Sequence, residues 1–362
     1  MTQSSTITTE LQTSPVDAAR RSEILADPGF GLHFTDHMFL SEWTPDQRWH
    51  GRMVKPYGPF SVDPATSVLH YAQEIFEGMK AYRHGDGSIW TFRPEVNAAR
   101  FQRSAVRLAL PELPADDFLT AIKALVEVDQ EWVPSGAEQS LYIRPFMFAS
   151  EVFLGVRPAK HVTFAVITSP AGPYFESGVK PVSIWLSEHY DRAAPGGTGA
   201  VKCGGNYAAS LIAQQEASSH GCDQVVFLDA AEHSFLEELG GMNVFLVYGD
   251  GTLVTPELNG SILEGVTRAS IIELADEFGH KVDERKVAIE EWREGVATHD
   301  IVEVFACGTA AVVTPISTLK WRGGEVTSGA EAGPVTLKIR QRLLDIQYGR
   351  VADEHSWLHR LV

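Results

Sequence analysis

The pattern of hydrophobic and polar positions along the chain predicts five helices. Pro94 begins the first, which runs to about residue 110 and is followed by an amphipathic helix over roughly 115–130. The apolar face of the first helix comprises Ala98, Phe101, Ala105 and Leu108. Three more helices are expected near 206–219, 265–278 and 334–347. Each helix would bury one face, so the chain contains the elements of a packed globular fold.

Strand-like runs lie before and between these helices. They cover residues 88–92, 140–148, 161–168, 182–187, 224–229, 243–248 and 300–306. Gly85-Asp86-Gly87 and Asp250-Gly251 predict hairpin turns, and Gly279 predicts a left-handed helix end. Because strands and helices mix without a clean βαβ repeat, the pattern favours an α+β fold over a doubly wound sheet.

The length of the chain predicts more than one domain. Its 362 residues exceed the size at which a single core usually stops growing. We expect a disordered N-terminal tail over 1–28, where Ser and Thr are frequent, and a small domain over 29–170. The Pro- and Gly-dense segment 171–181 is expected to be a linker to a larger domain over 182–362.

Charge and cysteine content exclude several classes of function. A net charge of −17 argues against nucleic-acid and anionic-membrane partners, because both are polyanions. No apolar run approaches the ~20 residues of a membrane span, and no secretory signal begins the chain. The three cysteines form no close pair, so we predict neither a metal site nor a disulfide framework. This content fits a reducing compartment, and we expect a cytoplasmic protein.

The stretch Gly196 to Tyr207 places Lys202 between two pairs of glycines. Glycines leave space for a bulky group beside the main chain, and a lysine in such a setting can act as an amine nucleophile. A plain turn with a solvated surface lysine is the competing interpretation. A phosphate-binding P-loop is excluded, because Val201 and Cys203 stand where that motif requires Gly and Ser or Thr.

Three other features fit a ligand that has an aldehyde, a ring nitrogen and a phosphate. Glu238 could keep a ring nitrogen protonated, and Arg100 could bind a phosphate through its charged fork. Gly265-Val266-Thr267 opens a predicted helix whose free N–H groups suit the same phosphate. Together with Lys202 they describe a pyridoxal-phosphate (PLP) site. Taken singly, each is more commonly a surface charge or a helix start.

Several motifs, in order, resemble the branched-chain aminotransferases. They are Phe34-Thr35-Asp36-His37-Met38, Phe76-Glu77-Gly78-Met79-Lys80-Ala81, Phe92-Arg93-Pro94, Leu141-Tyr142-Ile143-Arg144-Pro145, Lys202-Cys203-Gly204-Gly205-Asn206-Tyr207, Glu238-Leu239-Gly240-Gly241-Met242-Asn243, Leu253-Val254-Thr255-Pro256, Leu258-Asn259-Gly260, Glu303-Val304-Phe305 and Gly308-Thr309-Ala310. The matches run from about residue 30 to Gly349. The resemblance implies the fold-type IV architecture of class IV aminotransferases, with a small α/β domain, a linker and a larger domain. It also implies a homodimer that binds PLP.

The resemblance also implies roles for individual residues. Lys202 becomes the catalytic Schiff-base lysine, Glu238 the partner of the pyridine nitrogen and Tyr207 the hydroxyl near the cofactor O3′. The expected phosphate ligands are Arg100, Val266, Thr267 and Thr309. The expected substrate-binding residues are Phe30, Tyr71, Phe76, Tyr142, Arg144, Leu154, Val156, Tyr174, Thr309 and Ala310. Among these, Tyr71, Leu154 and Val156 would be contributed across the dimer interface.

The implied reaction is reversible amino-group transfer between leucine, isoleucine or valine and 2-oxoglutarate. Two features depart from some relatives: Ala311 and Thr314 stand in place of a Cys-x-x-Cys pair, and Gly241 stands in place of a threonine. A thiol switch of that kind is therefore excluded. A D-amino-acid aminotransferase, an aminodeoxychorismate lyase and a catalytically silent scaffold remain the alternatives.

Overall fold

The computed structural model describes residues 6–173, 179–329 and 331–362. The chain divides into two compact units. Unit 1 comprises Met1–Tyr174, Lys202–Gly204 and Asp345–Val362, and unit 2 comprises Phe175–Val201 and Gly205–Leu344. The predicted domain boundaries followed the sequence order alone. They therefore did not anticipate that Lys202–Gly204 and Asp345–Val362 group with unit 1.

Unit 1 is built on one mixed sheet. Its described strands are β1 (Thr8–Thr9), β2 (His37–Thr44), β3 (Arg48–Pro56), β4 (Glu74–Phe76), β5 (Met79–Arg83), β6 (Ile89–Phe92), β7 (Ser140–Ala149), β8 (Val162–Ala171) and, near the C-terminus, β18 (Leu358–Arg360). The strand order is β1-β3-β2-β8-β7-β5-β6-β18, with β4 also paired to β7. The β5–β6 pair confirms the hairpin predicted at Gly85-Asp86-Gly87.

Two helices pack their apolar faces on this sheet. They are α3 (Pro94–Arg107) and α4 (Ala115–Val128). Phe101 of α3 lies 5.3 Å from Phe118 of α4 and 5.7 Å from Phe164 of β8, measured between ring centroids. All three rings are buried, and burying one such ring stabilises the fold by about 1.5–3 kcal/mol. The two predicted helices are confirmed, although α3 ends before Ala109, whose φ is 53°.

The N-terminal segment contradicts one expectation. Residues 1–28 were expected to be disordered, yet β1 pairs with β3 and α1 spans Ala18–Ala26. Asp17 caps α1 by accepting a hydrogen bond from the backbone N–H of Arg20 at 2.9 Å. The backbone N–H of Val16 donates to the Asp36 carboxylate at 2.8 Å. The expectation was wrong for residues 6–28, because backbone pairing and capping order a segment whose composition is polar.

Unit 2 contains the second sheet. Its described strands are β9 (Val182–Ser187), β10 (Gln224–Leu228), β11 (Leu236–Leu239), β12 (Asn243–Tyr248), β13 (Leu253–Pro256), β14 (Val282–Arg285), β15 (Ile301–Gly308), β16 (Val312–Trp321) and β17 (Gly324–Thr327). The order is β11-β10-β9-β16-β15-β12-β13-β14, with β17 paired to β16. Antiparallel pairing of β12 with β13 confirms the turn predicted at Asp250-Gly251.

The remaining helices are α2 (Val68–Tyr71), α5 (Gly204–Ser219), α6 (Val266–Glu277), α7 (Ile289–Thr298) and α8 (Pro334–Gln347). The sequence analysis predicted α5, α6 and α8 but missed α7. The buried residues Ile289, Trp292 and Val296 follow helical spacing, so the signal was present in the sequence. Gly279 ends the α6 segment with φ of 77°, as predicted. Across the described residues, no helix is both long and apolar enough to cross a bilayer.

Candidate active site

Lys202 is fixed through its own backbone. Its carbonyl oxygen accepts a hydrogen bond from the N–H of Phe76 at 3.0 Å, and its N–H donates to the hydroxyl of Ser104 at 3.2 Å. Phe76 ends β4 and Ser104 lies on α3, so two elements of unit 1 hold the residue. The Nζ atom lies 5.0 Å from the centroid of the Phe76 ring. The predicted nucleophile is therefore held on a rigid frame.

The electrostatic setting of Lys202 makes its amine easier to deprotonate. Burial is the largest effect, and together with the positive charge of Arg100 it lowers the pKa of Lys202 from 10.5 to about 8. Glu77 opposes the shift, and Arg144 adds a smaller effect in the same direction as Arg100. At pH 7 about a tenth of the amines are neutral, against well below a thousandth for an ordinary lysine.

Arg100 is bound by a carboxylate that the sequence analysis did not single out. Nε of Arg100 donates to Oε1 of Glu77, and Nη2 donates to Oε2, both at 2.7 Å. Asn97 donates to the same Oε2 at 2.9 Å. Burial alone would raise the pKa of Glu77, but the charge and hydrogen bonds of Arg100 outweigh it and lower that pKa. The buried pair orients the arginine beside Lys202.

Four predicted substrate residues of unit 1 come together on and beside β7. Phe30 packs edge-on against Tyr142, with ring centroids 5.1 Å apart. Nη2 of Arg144 donates to the Tyr142 hydroxyl at 3.0 Å, and its guanidinium carbon lies 4.8 Å from the Phe76 ring centroid. A Cβ atom on Gly78 would clash with the Tyr142 hydroxyl oxygen, so a larger residue would displace that side chain. The cluster combines aromatic walls with one cation.

The Arg144 guanidinium has donor capacity left for a ligand. Its Nε atom is buried and has no hydrogen-bond partner among the residues that the structure describes. Unpartnered buried N–H groups are uncommon, because each costs free energy. A carboxylate is the ligand that a guanidinium fork fits best. The position therefore suits the carboxylate end of an amino acid.

The predicted interface residues form a separate, exposed group in unit 1. The Tyr71 hydroxyl donates to the backbone carbonyl of Leu154. Leu154 and Val156 expose 58% and 87% of their surface. Tyr174, the remaining predicted aromatic residue, lies outside the described residues.

Glu238 is held in unit 2 by three donors. Its Oε1 accepts from the backbone N–H of Leu263 at 2.9 Å and pairs with the guanidinium of Arg192, and its Oε2 accepts from Asn243 at 3.2 Å. Arg192 also donates to the carbonyl oxygens of Gly199, at 2.9 Å, and of Ser261, at 2.7 Å. The Glu238 carboxylate is buried and paired with the positive charge of Arg192. An opposite charge nearby favours the ionised form of a buried carboxylate. Sequence reasoning missed Arg192.

The predicted phosphate site on α6 has a geometry that suits an anion. The helix begins at Val266 after Gly265, and no side chain in the described part of the chain caps its N-terminus. The N–H groups of such a helix start and its positive dipole end favour a phosphate. A Cβ atom on Gly265 would lie 2.0 Å from Oδ1 of Asn243, so a larger residue would disturb the amide that donates to Glu238.

The other predicted residues of unit 2 lie in loops and at a helix start. Tyr207 is in the first turn of α5, and a Cβ atom on Gly241 would lie 3.7 Å from its ring. Thr309 and Ala310 form the turn after β15, and both are half-buried. Among the described residues, no group of three or more His, Cys, Asp or Glu side chains is arranged for a metal ion. The donors present suit an organic cofactor with an aldehyde, a basic ring nitrogen and a phosphate.

Comparison with known proteins agrees with this chemistry. The family model for amino-transferase class IV matches residues 74–319. A probable branched-chain-amino-acid aminotransferase from Streptomyces coelicolor is 57% identical over 360 residues, covering 98% of this chain and 99% of the relative. The branched-chain-amino-acid aminotransferase of Mycolicibacterium smegmatis is 54% identical, covering 98% of both chains.

Solved structures give the same result. The crystal structure of the Escherichia coli branched-chain amino acid aminotransferase superimposes with a TM-score of 0.75 at 28% identity, covering 90% of this chain and 99% of that one. The PLP form of the branched-chain amino acid aminotransferase from Thermobaculum terrenum gives a TM-score of 0.72 at 25% identity, covering 90% of this chain and 98% of that one.

The chain therefore belongs to the class IV aminotransferases, and it is a PLP-dependent enzyme with the α+β, fold-type IV architecture predicted from its sequence. Within that class, it groups with the branched-chain-amino-acid aminotransferases, and the resemblance read from its motifs is confirmed.

Proposed function

We propose that the enzyme reversibly transfers an amino group between L-leucine, L-isoleucine or L-valine and 2-oxoglutarate. The observation that carries the proposal is the fixed amine of Lys202, with a pKa of about 8, in the same unit as an aromatic cluster that contains a cation. When bound, PLP takes up the amino group and stabilises the charge left when the substrate carbon loses a proton.

The chain's own residues divide the work of binding the cofactor. Lys202 would attach it, and Glu238 would pair with its ring nitrogen, where a buried carboxylate favours the protonated ring. Tyr207 would donate to its O3′ oxygen. Arg100, the N–H groups of Val266 and Thr267, and Thr309 would hold the phosphate. The start of α6, which no described side chain caps, supports that assignment.

Lys202 moves the proton in the reaction. An amine with a pKa of about 8 can accept a proton near neutral pH and return it, which an ordinary lysine does poorly. Its backbone contacts with Phe76 and Ser104 keep the amine in one place during both steps.

The substrate side chain would contact Phe30, Phe76, Tyr142 and Ala310. Arg144 binds the carboxylate, and its buried Nε atom, without a partner among the described residues, supports that role. Aromatic walls discriminate weakly among leucine, isoleucine and valine, because one methylene is worth only about 1–3 kcal/mol.

The enzyme acts as a homodimer in the cytoplasm. Residues 60–71 and 152–156 expose several apolar side chains of unit 1, among them Leu69, Val152 and the group around Tyr71, Leu154 and Val156. Such a surface is typical of a subunit interface. Its three cysteines are free and would stay reduced in that compartment.

A substrate profile tests the proposal. The purified enzyme with L-leucine and 2-oxoglutarate should form glutamate, while D-alanine and aminodeoxychorismate should react at least tenfold more slowly. Faster reaction with either would replace the branched-chain assignment by the corresponding alternative. Lys202→Ala should lose both activity and the visible absorbance of the attached cofactor, whereas Lys123→Ala, on the exposed face of α4, should keep both.

A further inference from the structure

Glu237 is buried on β11 beside the cofactor carboxylate Glu238, and its role is not explained by the chemistry above. β11 is the edge strand of its sheet. Ser261 contacts Glu237 on one side of the strand, while the N–H of Leu263 donates to Glu238. Neighbouring residues of a strand point to opposite faces, so two carboxyl groups anchor one loop from both sides.

If the carboxyl group of Glu237 is ionised, one proton is missing for the two contacts that the Ser261 hydroxyl makes with Glu237 and Asn259. The hydroxyl of Ser261 contacts Oε1 of Glu237 and lies 2.7 Å from Oδ1 of Asn259. A hydroxyl has one proton and cannot donate to both. The backbone N–H of Ser261 donates to the same Oδ1 at 3.0 Å, which fixes that amide oxygen as an acceptor. A proton on Glu237 completes the chain from Glu237 to Ser261 to Asn259.

The surroundings of Glu237 also disfavour its charge. Its exposure is 2%, and Oε2 has no hydrogen-bond partner among the described residues. The nearby cation, Arg192, gives its hydrogen bonds to Glu238 and to two carbonyl oxygens instead. Burial raises the pKa of Glu237 against the effects of Ser261, Arg192 and Asn259, and Asp229 raises it further. The other charged side chains of the adjoining pocket are Glu232, Glu257 and Lys286.

We propose that Glu237 is a protonated, uncharged positioning residue that holds Ser261 and, through the Ser261 carbonyl group, sets Arg192 against Glu238. The carbonyl oxygen of Ser261 accepts from Nη2 of Arg192 at 2.7 Å, and the same nitrogen pairs with Glu238. The two adjacent carboxyl groups thus differ in their surroundings: Glu238 accepts from Leu263, Arg192 and Asn243, whereas Glu237 carries a proton. The positioning role rests on the proposed function of Glu238, whereas the proton on Glu237 does not.

The proton is tested by infrared spectroscopy of the holoenzyme at pH 7. The difference spectrum between wild type and Glu237→Gln should contain the carbonyl band of a protonated carboxylic acid. Glu257→Gln, which changes an exposed carboxylate of the same pocket, should leave that band in place. Absence of the band in wild type at pH 7 overturns the proposal.

The positioning role is tested by kinetics with whichever amino donor the wild type uses, so that failure of the branched-chain assignment does not affect this test. Glu237→Gln should keep kcat within about threefold, because an amide can also donate to Ser261. Glu237→Ala and Ser261→Ala should each lower kcat by about tenfold or more, with KM changed less than about threefold. Equal losses in Glu237→Gln and Glu237→Ala, or no loss in Ser261→Ala, would contradict the role.

Discussion

The lowered pKa of Lys202 predicts that this lysine destabilises the enzyme without its cofactor. A decrease from 10.5 to about 8 corresponds to about 3 kcal/mol, since one pKa unit is equivalent to about 1.4 kcal/mol. Replacing Lys202 with methionine removes the buried charge and keeps most of the side-chain volume. At pH 7 the free energy of unfolding of the Lys202→Met apoenzyme should exceed that of wild type by about 2–3 kcal/mol.

The pH dependence separates this charge effect from improved packing. Unfolded lysine keeps its proton up to about pH 10.5, while folded Lys202 loses it from about pH 8. Between these values the unfolded state binds more protons, so wild-type stability rises with pH. The advantage of Lys202→Met should therefore be constant below about pH 8 and shrink between pH 8 and 10.5.

Urea unfolding of both apoenzymes at half-unit intervals from pH 6.5 to about 10.5 measures the difference. Titrations of other residues affect both proteins alike and cancel. Lys123→Met, at an exposed position on α4, is the matched control and should show no pH-dependent difference from wild type. A difference for Lys202→Met that stays constant across this range would refute the reasoning, because packing alone does not titrate.

Three further substitutions test the charge pairs and one glycine. Glu77→Gln should lower the free energy of unfolding by about 3–5 kcal/mol, measured by urea denaturation, because it leaves a buried arginine uncompensated. Arg192→Met should lower kcat by about tenfold to a hundredfold while cofactor stoichiometry stays near one, because Glu238 then favours its protonated form. Gly265→Ala should destabilise by about 1–3 kcal/mol and weaken cofactor binding measured by fluorescence titration, whereas Gly58→Ala, with open space around it, should change neither.

Local signals in the sequence were sufficient for the five longest helices but for fewer than half of the strands that the structure describes. The helix from Pro94 was predictable because proline suits the first turn and apolar residues recur on one face. The ordered segment 6–28 was not, because its stability comes from pairing with β3 and from the carboxylate of Asp36, both distant in sequence. Composition reports the average tendency of a segment and not the partners that it meets.

The residues of the candidate site also fall into two groups, those that the sequence indicated and those that it did not. The residues to which we assign the chemistry, such as Lys202 and Glu238, could be selected because they stand in motifs that resemble those of the family. The groups that tune them were missed: Glu77 is 23 positions from Arg100, and Arg192 pairs with Glu238 across 46 positions. Such ion pairs form between elements brought together by the fold, and a sequence pattern of local periodicity contains no information about them.

Glu77 shows why the exact residues of a motif can be more informative than the functional role assigned to the motif. In Phe76-Glu77-Gly78 each residue meets a different physical requirement: one ring beside the lysine amine, one buried carboxylate on Arg100, and one position without a side chain beside the Tyr142 hydroxyl. These requirements are independent, so a substitution at any one of them would disturb a different property. The motif therefore specifies both the charge and the shape of the surroundings of the Lys202 amine. The identity of its residues contains this information, whereas their spacing does not.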